Sequence, residues 1–203
     1  VIIGGGVMGA SAAYHLAKRG HKNIVLLEKE NFFGQGATGR CAGGVRYQFS
    51  TEINVKLSIA SLPMTERFKE EIGQDVSYKQ CGYLLVATNE KEVAAFKHNV
   101  EMQNKLGVAT QLLSGDEVRA RLPMMNFEDA LAGTFNQKDG TVDPNSVVMG
   151  YINAAQKMGV KAISGAEVLG ISVSGGNVEE VQTSLGAIQT RMVLNVAGPW
   201  SSQ

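Results

Sequence analysis

The chain has 203 residues, enough to bury a core in one or two domains. Lysine plus arginine and aspartate plus glutamate number 19 each, so the formal net charge is zero and no broad basic footprint for nucleic acid exists. No apolar run approaches the ~20 residues of a membrane span, and the two cysteines, Cys41 and Cys81, are too few for a disulfide framework.

Taken in order, Val1-Ile2-Ile3 runs straight into Gly4-x-Gly6-x-x-Gly9, and an alanine-rich helical pattern opens at once. This is the strand, turn and helix of a dinucleotide-binding βαβ unit. Gly4 allows the tight turn, Gly6 lets a pyrophosphate approach the backbone, and Gly9 lets helix and strand pack closely. The helix N-terminus offers free N–H groups and the positive end of its dipole. Ala12, Ala13, Leu16 and Ala17 give the stretch 11–19 helical spacing, and Gly20 stops it. Residues 24–28 then read as a buried parallel strand ending in Glu28, which lies 19 residues past Gly9. That is where an acid accepting both ribose hydroxyls belongs, and it would repel a 2′-phosphate.

A glycine-dense loop follows, with five glycines among residues 34–46. Against a usual share of ~7% this is a loop able to lay several N–H groups against phosphates or a flat ring. The spacing predicts a helix over 52–73, bent or split by Pro63, then strands over 76–79 and 82–88. An amphipathic helix is expected over 90–106. Ser114-Gly115-Asp116-Glu117 is a capping box opening a short helix before Pro123. A strand is expected over 131–135, turn and extended structure over 139–144, and a helix over 145–158 with Asn145 as N-cap and Gly159 as its stop. Strands over 161–163, 168–173, 178–183 and 187–190 follow, the middle two forming a hairpin around residues 174–177. The last stretch, 192–196, reads as a buried strand entering a turn.

The first strand has three residues, no initiating methionine and no preceding signal segment, and the chain stops soon after its last strand; a piece of a longer polypeptide is expected. No His/Cys/Asp/Glu spacing suggests a metal, and no serine or cysteine nucleophile motif is present. His15 and His21 read as structural, and His98 as part of a solvated helix face.

The stretches 1–9, Leu27-Glu28-Lys29, Gly36-Ala37-Thr38-Gly39-Arg40 with Ala42-Gly43-Gly44-Val45-Arg46, Gly140-Thr141-Val142-Asp143-Pro144 and Val196-Ala197-Gly198-Pro199-Trp200-Ser201 resemble the FAD-dependent D-amino-acid oxidase and sarcosine oxidase-like family. The nearest branch is that of the sarcosine oxidase β-subunit and dimethylglycine dehydrogenase. The resemblance spans the whole chain and implies about half of a family member. The implied fold is α/β: a Rossmann-like FAD-binding domain with a parallel sheet, built from 1–75 and 141–203, and an inserted α+β substrate domain of which 76–140 is a part.

The resemblance implies FAD. Gly4, Gly6, Val7, Met8 and Gly9 would take the pyrophosphate, and Glu28 with Lys29 the adenosine ribose. Gly36, Ala37, Thr38, Gly39 and Arg40 would line the phosphates and ribityl chain, and Ala42, Gly43, Gly44 and Val45 would run beside the isoalloxazine. Val168 sits where the family backbone touches adenine, and Ala197, Gly198 and Trp200 would close a contact near the flavin. Arg40 stands where covalently flavinylated members carry histidine, so FAD is expected to be non-covalent.

The implied reaction is oxidation of the C–N bond of a small secondary or tertiary amine or amino acid such as sarcosine, dimethylglycine, proline or glycine. Hydride would pass from the carbon beside a neutral nitrogen to the flavin, and the imine would be hydrolysed. Arg46, after the Gly43-Gly44 doublet, is the candidate catalytic residue, as a carboxylate clamp or a charge tuning the flavin; a structural arginine tying loop to helix is the competing reading. The electron acceptor stays open among O₂, a quinone and an electron-transfer flavoprotein. A hetero-oligomer with other subunits and a cytoplasmic or mitochondrial-matrix setting are implied; no nucleic acid is. The rival readings are a non-catalytic FAD-binding subunit or assembly factor and an NAD-binding module; the loop 36–46 and the Gly198 ending argue against the second.

Overall fold

The computed structural model describes residues 1–202. In chain order its elements are β1 (Ile2–Ile3), α1 (Val7–Lys18), β2 (Val25–Leu27), β3 (Gly44–Val45), α2 (Glu52–Glu66), α3 (Phe68–Ile72), β4 (Tyr83–Ala87) and α4 (Glu90–Lys105). Then come β5 (Gln111–Ser114), α5 (Gly115–Arg121), β6 (Ala132–Asn136), β7 (Gly140–Thr141), α6 (Pro144–Lys157) and β8 (Lys161–Ile163). The chain closes with β9 (Val168–Ser174), β10 (Asn177–Thr183), β11 (Gly186–Gln189), β12 (Leu194–Asn195) and a 3₁₀ turn at Gly198–Trp200. Contacts divide it into two units: Val1–Ala42 with Lys69–Val76 and the stretch from Asp143 onward, and Gly43–Phe68 with Ser77–Val142.

The first unit is built on a parallel four-stranded sheet in the order β12-β1-β2-β8. Leu26 and Leu27 of β2 are buried, and burial of each such side chain is worth about 1.5–3 kcal/mol. α1 begins at Val7, immediately after the glycine turn, and turns Ala10, Ala13, Tyr14 and Ala17 inward against α6, which buries Val148, Ile152 and Ala155. Small alanines let these two helices approach closely. Tyr14 and Tyr151 meet at 5.3 Å between ring centroids, and His15 joins them, so its role in the described structure is packing. An antiparallel sheet, β11-β10-β9, carries the expected hairpin, with Gly175 and Gly176 at its tip. Leu27, Ala166 and Val181 form the core beneath it.

Two expectations fail here. α6 is capped by Asp143, whose carboxylate accepts from Ser146 N at 2.9 Å, and Pro144 takes the first helical position; Asn145 is inside the helix. The terminal strand is reduced to Leu194–Asn195, and both residues are exposed rather than buried, because β12 lies at the sheet edge.

The second unit has an antiparallel sheet, β4-β6-β5, and the short pair β3-β7. α4 packs against all three strands of the sheet. α5 opens on the expected capping box: Ser114 and Glu117 satisfy each other's backbone N–H groups. Leu113, Val118, Ala130 and Phe135 form the core on that side. Val55 and Leu62 of α2 bury themselves with Tyr47 and Val108. That packing places residues 43–68 in the second unit, whereas the expected boundary assigned them to the first. The helix predicted over 52–73 splits at Arg67, four residues after Pro63. The strand expected over 76–79 does not form: Ser77 has φ +51°, outside the extended region, and only Lys79 bridges to Thr141.

Candidate functional site

The turn after β1 is assembled by close backbone approaches. Gly4 has φ +112°, which an L side chain rarely adopts, and a Cβ there would meet Val196 O at 2.5 Å and Ala197 Cα at 2.9 Å. Gly4 N donates to Leu27 O at 2.8 Å. A Cβ on Gly9 would collide with the Gly4 carbonyl oxygen. Gly6, by contrast, faces open space except for Thr38 Oγ1 at 3.2 Å. So the first and third glycines serve packing, while the middle one leaves room.

That room lies at the start of α1. Gly6 is its N-cap, no side chain caps it, and its first turn holds no acid. Helix starts expose N–H groups that side chains usually satisfy. Val7 N donates to Thr38 Oγ1 at 3.1 Å; Met8 is exposed. A helix N-terminus of this kind, with a glycine N-cap and free dipole, fits a phosphate.

The glycine-rich loop wraps this turn. Gly34 N donates to Gly5 O at 3.0 Å and Gly39 N to Gly34 O at 2.7 Å, and a Cβ on Gly39 would strike Gly34 O. The Trp200 ring lies against Gly36, 3.2 Å from where a Cβ would stand, and Lys29 Nζ sits 5.1 Å from the ring centroid. Ala37 is exposed; Arg40 is exposed and its Nε donates to Gln35 O at 3.3 Å. Cys41 Sγ donates to Thr38 O at 3.0 Å, and both cysteines are free.

At the end of β2, Glu28 is half-buried. Its Oε2 accepts from Gly5 N at 2.8 Å and its Oε1 from Glu30 N at 3.0 Å. Each oxygen keeps a lone pair for another donor. Val168 opens β9, beside the segment in which Ala166 N donates to Glu28 O. The structure therefore brings together Gly4, Gly6, Val7, Gly9, Glu28, Lys29, Gly36, Thr38, Gly39, Ala197 and Trp200. Gly198, with φ +62°, turns the chain between Ala197 and Trp200. These features define the βαβ core of a dinucleotide-binding protein.

Ala42 ends the first stretch of that unit and is exposed; Gly43 to Arg46 belong to the second unit. Gly43 O accepts from Val142 N at 2.9 Å, and Gly44 and Val45 pair with Thr141 and Gly140. Arg46 lays its guanidinium over the Phe49 ring, 4.9 Å from the centroid. Beside it is a buried polar network that sequence reading missed. Asp139, fully buried, accepts from Tyr47 N at 2.7 Å and from Gln48 Nε2 at 2.8 Å. Gln48 Nε2 also donates to Tyr83 O at 2.9 Å, and its Oε1 accepts from Thr134 Oγ1 at 2.6 Å. Burial raises the Asp139 carboxyl above the ordinary value, against the lowering effect of the Tyr47 and Gln48 hydrogen bonds and Arg46. Asp139-Gly140 reads locally as a turn, and nothing in its neighbours signals burial. Among the described residues no cluster of His, Cys, Asp and Glu could hold a metal ion, and no helix is long and apolar enough to cross a membrane.

Comparison with known proteins agrees with the geometry. The family described as FAD dependent oxidoreductase, DAO, matches residues 1–203, and the chain belongs to that family. FAD is thus the dinucleotide, and the uncapped α1 start and Glu28 fit it. The chain is 34% identical over 204 residues to dimethylglycine dehydrogenase, mitochondrial, from Rattus norvegicus, covering all of this chain and 24% of that protein. It is 28% identical to sarcosine oxidase subunit beta from Rhodobacter capsulatus, covering 98% of this chain and 49% of that one. The crystal structure of L-proline dehydrogenase from P. horikoshii superposes with a TM-score of 0.91 at 35% identity, covering 99% of this chain and 53% of that one. The chain thus spans about a quarter to a half of the length of these proteins.

Proposed function

We propose that the protein is an FAD-dependent oxidoreductase acting on the C–N bond of a small secondary or tertiary amine or amino acid. The observation that carries this reading is the open N-terminus of α1 beside Thr38, with Glu28 one strand away, in a chain of the FAD-dependent family. When bound, FAD supplies the acceptor for the hydride leaving the carbon beside nitrogen. The chain's own residues hold it. Met8 and Gly9 N–H groups and the Gly6 gap take the pyrophosphate, Glu28 accepts from the ribose hydroxyls, and the 34–39 loop covers the phosphates with Trp200 and Lys29 at its edge. Val168 borders the adenine end. The first unit is the FAD-binding domain and the second a part of the substrate domain.

Several finer points belong to the same proposal. The FAD is non-covalent, since Arg40 stands in the position a linking histidine would occupy. The relatives' names supply the substrate class, a dimethylglycine, sarcosine or proline-like acid. The subunit name of one relative supports a hetero-oligomer, and the mitochondrial name of another a matrix setting. The electrons pass on to O₂, a quinone or an electron-transfer flavoprotein.

The test is the visible spectrum of the purified protein before and after acid precipitation, followed by anaerobic addition of sarcosine, dimethylglycine, L-proline and glycine. The reading expects flavin colour that leaves with the supernatant and is bleached by at least one of these. Colour retained in the pellet would refute non-covalent binding. Flavin that no small amine bleaches would refute the oxidation and return the chain to a non-catalytic FAD-binding subunit.

A further inference from the structure

α2 is apolar on two opposite faces. Each helical residue turns ~100° past the last, so residues three, four and seven apart share a face. Val55, Ser58 and Leu62 share one and are buried, the first and last with Tyr47 and Val108. Ile53, Leu57, Ala60 and Met64 share the face opposite. All four are exposed, Ile53 by 63%, Leu57 by 58% and Met64 by 41%. None of them packs on the core beneath the helix. The outward stripe thus carries three large apolar side chains, against two and a serine on the buried face.

Single exposed apolar residues are ordinary, but a continuous stripe with steps of four, three and four residues is the seam of a helix pair. The charges around it narrow the choice of occupant. Between residues 51 and 67 they are Glu52, Lys56, Glu66 and Arg67, two of each sign. Lys56 pairs with Glu52, and Glu66 accepts from Gln80 Nε2 at 2.9 Å. Such a balance draws neither an anionic lipid surface nor a strongly charged protein. The stripe does match itself. With a twofold axis midway between Ser58 and Ile59, an antiparallel copy sets Leu57 against Ala60 of the second copy and Ile53 against its Met64. Large then meets small beside the axis. On the flanks Asn54 meets Ser61 and Lys56 meets Pro63, so no like charges face each other. Parallel pairing would set Leu57 on Leu57 and Ala60 on Ala60, crowding one layer and leaving a gap in the next.

We infer that the Ile53–Leu57–Ala60–Met64 stripe is a docking face for the α2 helix of a second copy of this chain, packed antiparallel. The exposed parts of these side chains come to roughly 350 Å² per copy, about 700 Å² for the pair, below the ~1,200 Å² at which stable interfaces begin. The pairing is therefore reversible, with a dissociation constant of about 10⁻⁵ to 10⁻⁴ M. It stands independently of FAD and of the oxidation reading, since every residue it uses lies on α2.

The experiment is sedimentation velocity of the whole FAD-loaded protein from about 1 to 300 µM, a range that brackets this dissociation constant, with dilute hydrogen peroxide used in parallel to read the exposure of each methionine. The sedimentation coefficient is expected to rise with concentration, and oxidation of Met64 to slow in step, while exposed Met124 reacts at a constant rate. Leu57→Glu, a change on the outward face, should weaken association by about tenfold or more. Leu57→Ala should weaken it by about fivefold or more, and Leu57→Ala combined with Ala60→Leu should return it to within about threefold of the parent, because large again meets small across the axis. The concentration series needs no variant, so a variant that fails to fold does not shelter the inference. A monomer at every concentration would overturn it. So would Met64 shielded at all concentrations, which means that the protein's own chain covers the stripe. Association that Leu57→Glu leaves intact puts the contact elsewhere, and a double variant no better than Leu57→Ala breaks the antiparallel match; either result overturns the inference.

Discussion

Gly6 and Gly9 stand three residues apart in the same turn, yet their surroundings predict opposite failures. In Gly9→Ala the new methyl falls on the Gly4 carbonyl oxygen and 3.2 Å from Leu26 Cδ1. Gly4 has nowhere to go: its N–H is bonded to Leu27 O at 2.8 Å, and its far side abuts Val196 and Ala197 backbone. Overpacking costs about 1–3 kcal/mol, and with backbone on both sides the upper end applies. With a urea slope of about 2 kcal/mol/M, a loss of about 3 kcal/mol lowers the unfolding midpoint by about 1.5 M. In Gly6→Ala the methyl meets only Thr38 Oγ1 at 3.2 Å, a hydroxyl that can rotate away. Its midpoint should move by less than about 0.5 M. On the proposed assignment the same methyl enters the space left for the pyrophosphate, so FAD affinity should fall about tenfold or more, a change of about 1.4 kcal/mol. Urea unfolding of the FAD-free protein and flavin fluorescence titration read the two effects separately. If Gly6→Ala proves the destabilised variant while Gly9→Ala unfolds like the parent, the division between packing glycine and cofactor glycine is wrong.

Asp139→Asn should remove a pH dependence as well as a hydrogen bond. Burial raises the Asp139 pKa in the fold, so the unfolded chain releases that proton first and Asp139's contribution to stability falls as pH rises through the carboxylate range. The stability difference, parent minus variant, should therefore shrink as pH rises from below the ordinary carboxylate value through the raised one; a difference that grows over this rise in urea melts would refute the assignment. Asp143→Ala should cost about 1 kcal/mol at neutral pH through loss of the α6 cap. Hydrogen bonds from Ser146 hold the Asp143 carboxyl below its ordinary value, so that contribution is present above the usual carboxylate pKa and is lost as pH falls through the lowered one. A cost that persists undiminished in acid would count against the cap.

The parts legible in the sequence were those whose signals are local. The glycine turn and α1, the strand before Glu28, the capping box at Ser114, the helix α4 and the hairpin at Gly175 each carry their own punctuation within a few residues. What stayed hidden depended on partners far along the chain. β5 is only Gln111–Ser114, too short for a period, and it exists because it pairs with β6. The placement of α2 in the second unit depends on Val55 and Leu62 meeting Val108. Of the cofactor cradle, the roles of Gly4 and Gly9 were readable, but not that Val196 and Ala197 complete the wall against Gly4. Asp139 gave no warning of its burial. Gln103 did offer one: it falls three residues after buried Val100, on the inward stripe of α4, where a polar side chain breaks the pattern.

β1 lies between β2 and β12, and its partner on one side is Leu194–Asn195, more than 190 residues further along. Val196 N donates to Ile3 O at 2.9 Å, closing the ladder across nearly the whole chain. At synthesis rates of about 5–20 residues per second, the glycine turn waits roughly 10–40 s for the segment that seats Gly4. During that time β1 is an unpaired apolar edge on one side. Such long-range closure slows folding and leaves the nascent chain in need of protection. The glycine turn therefore reaches its final form only once the far edge of the sheet is in place.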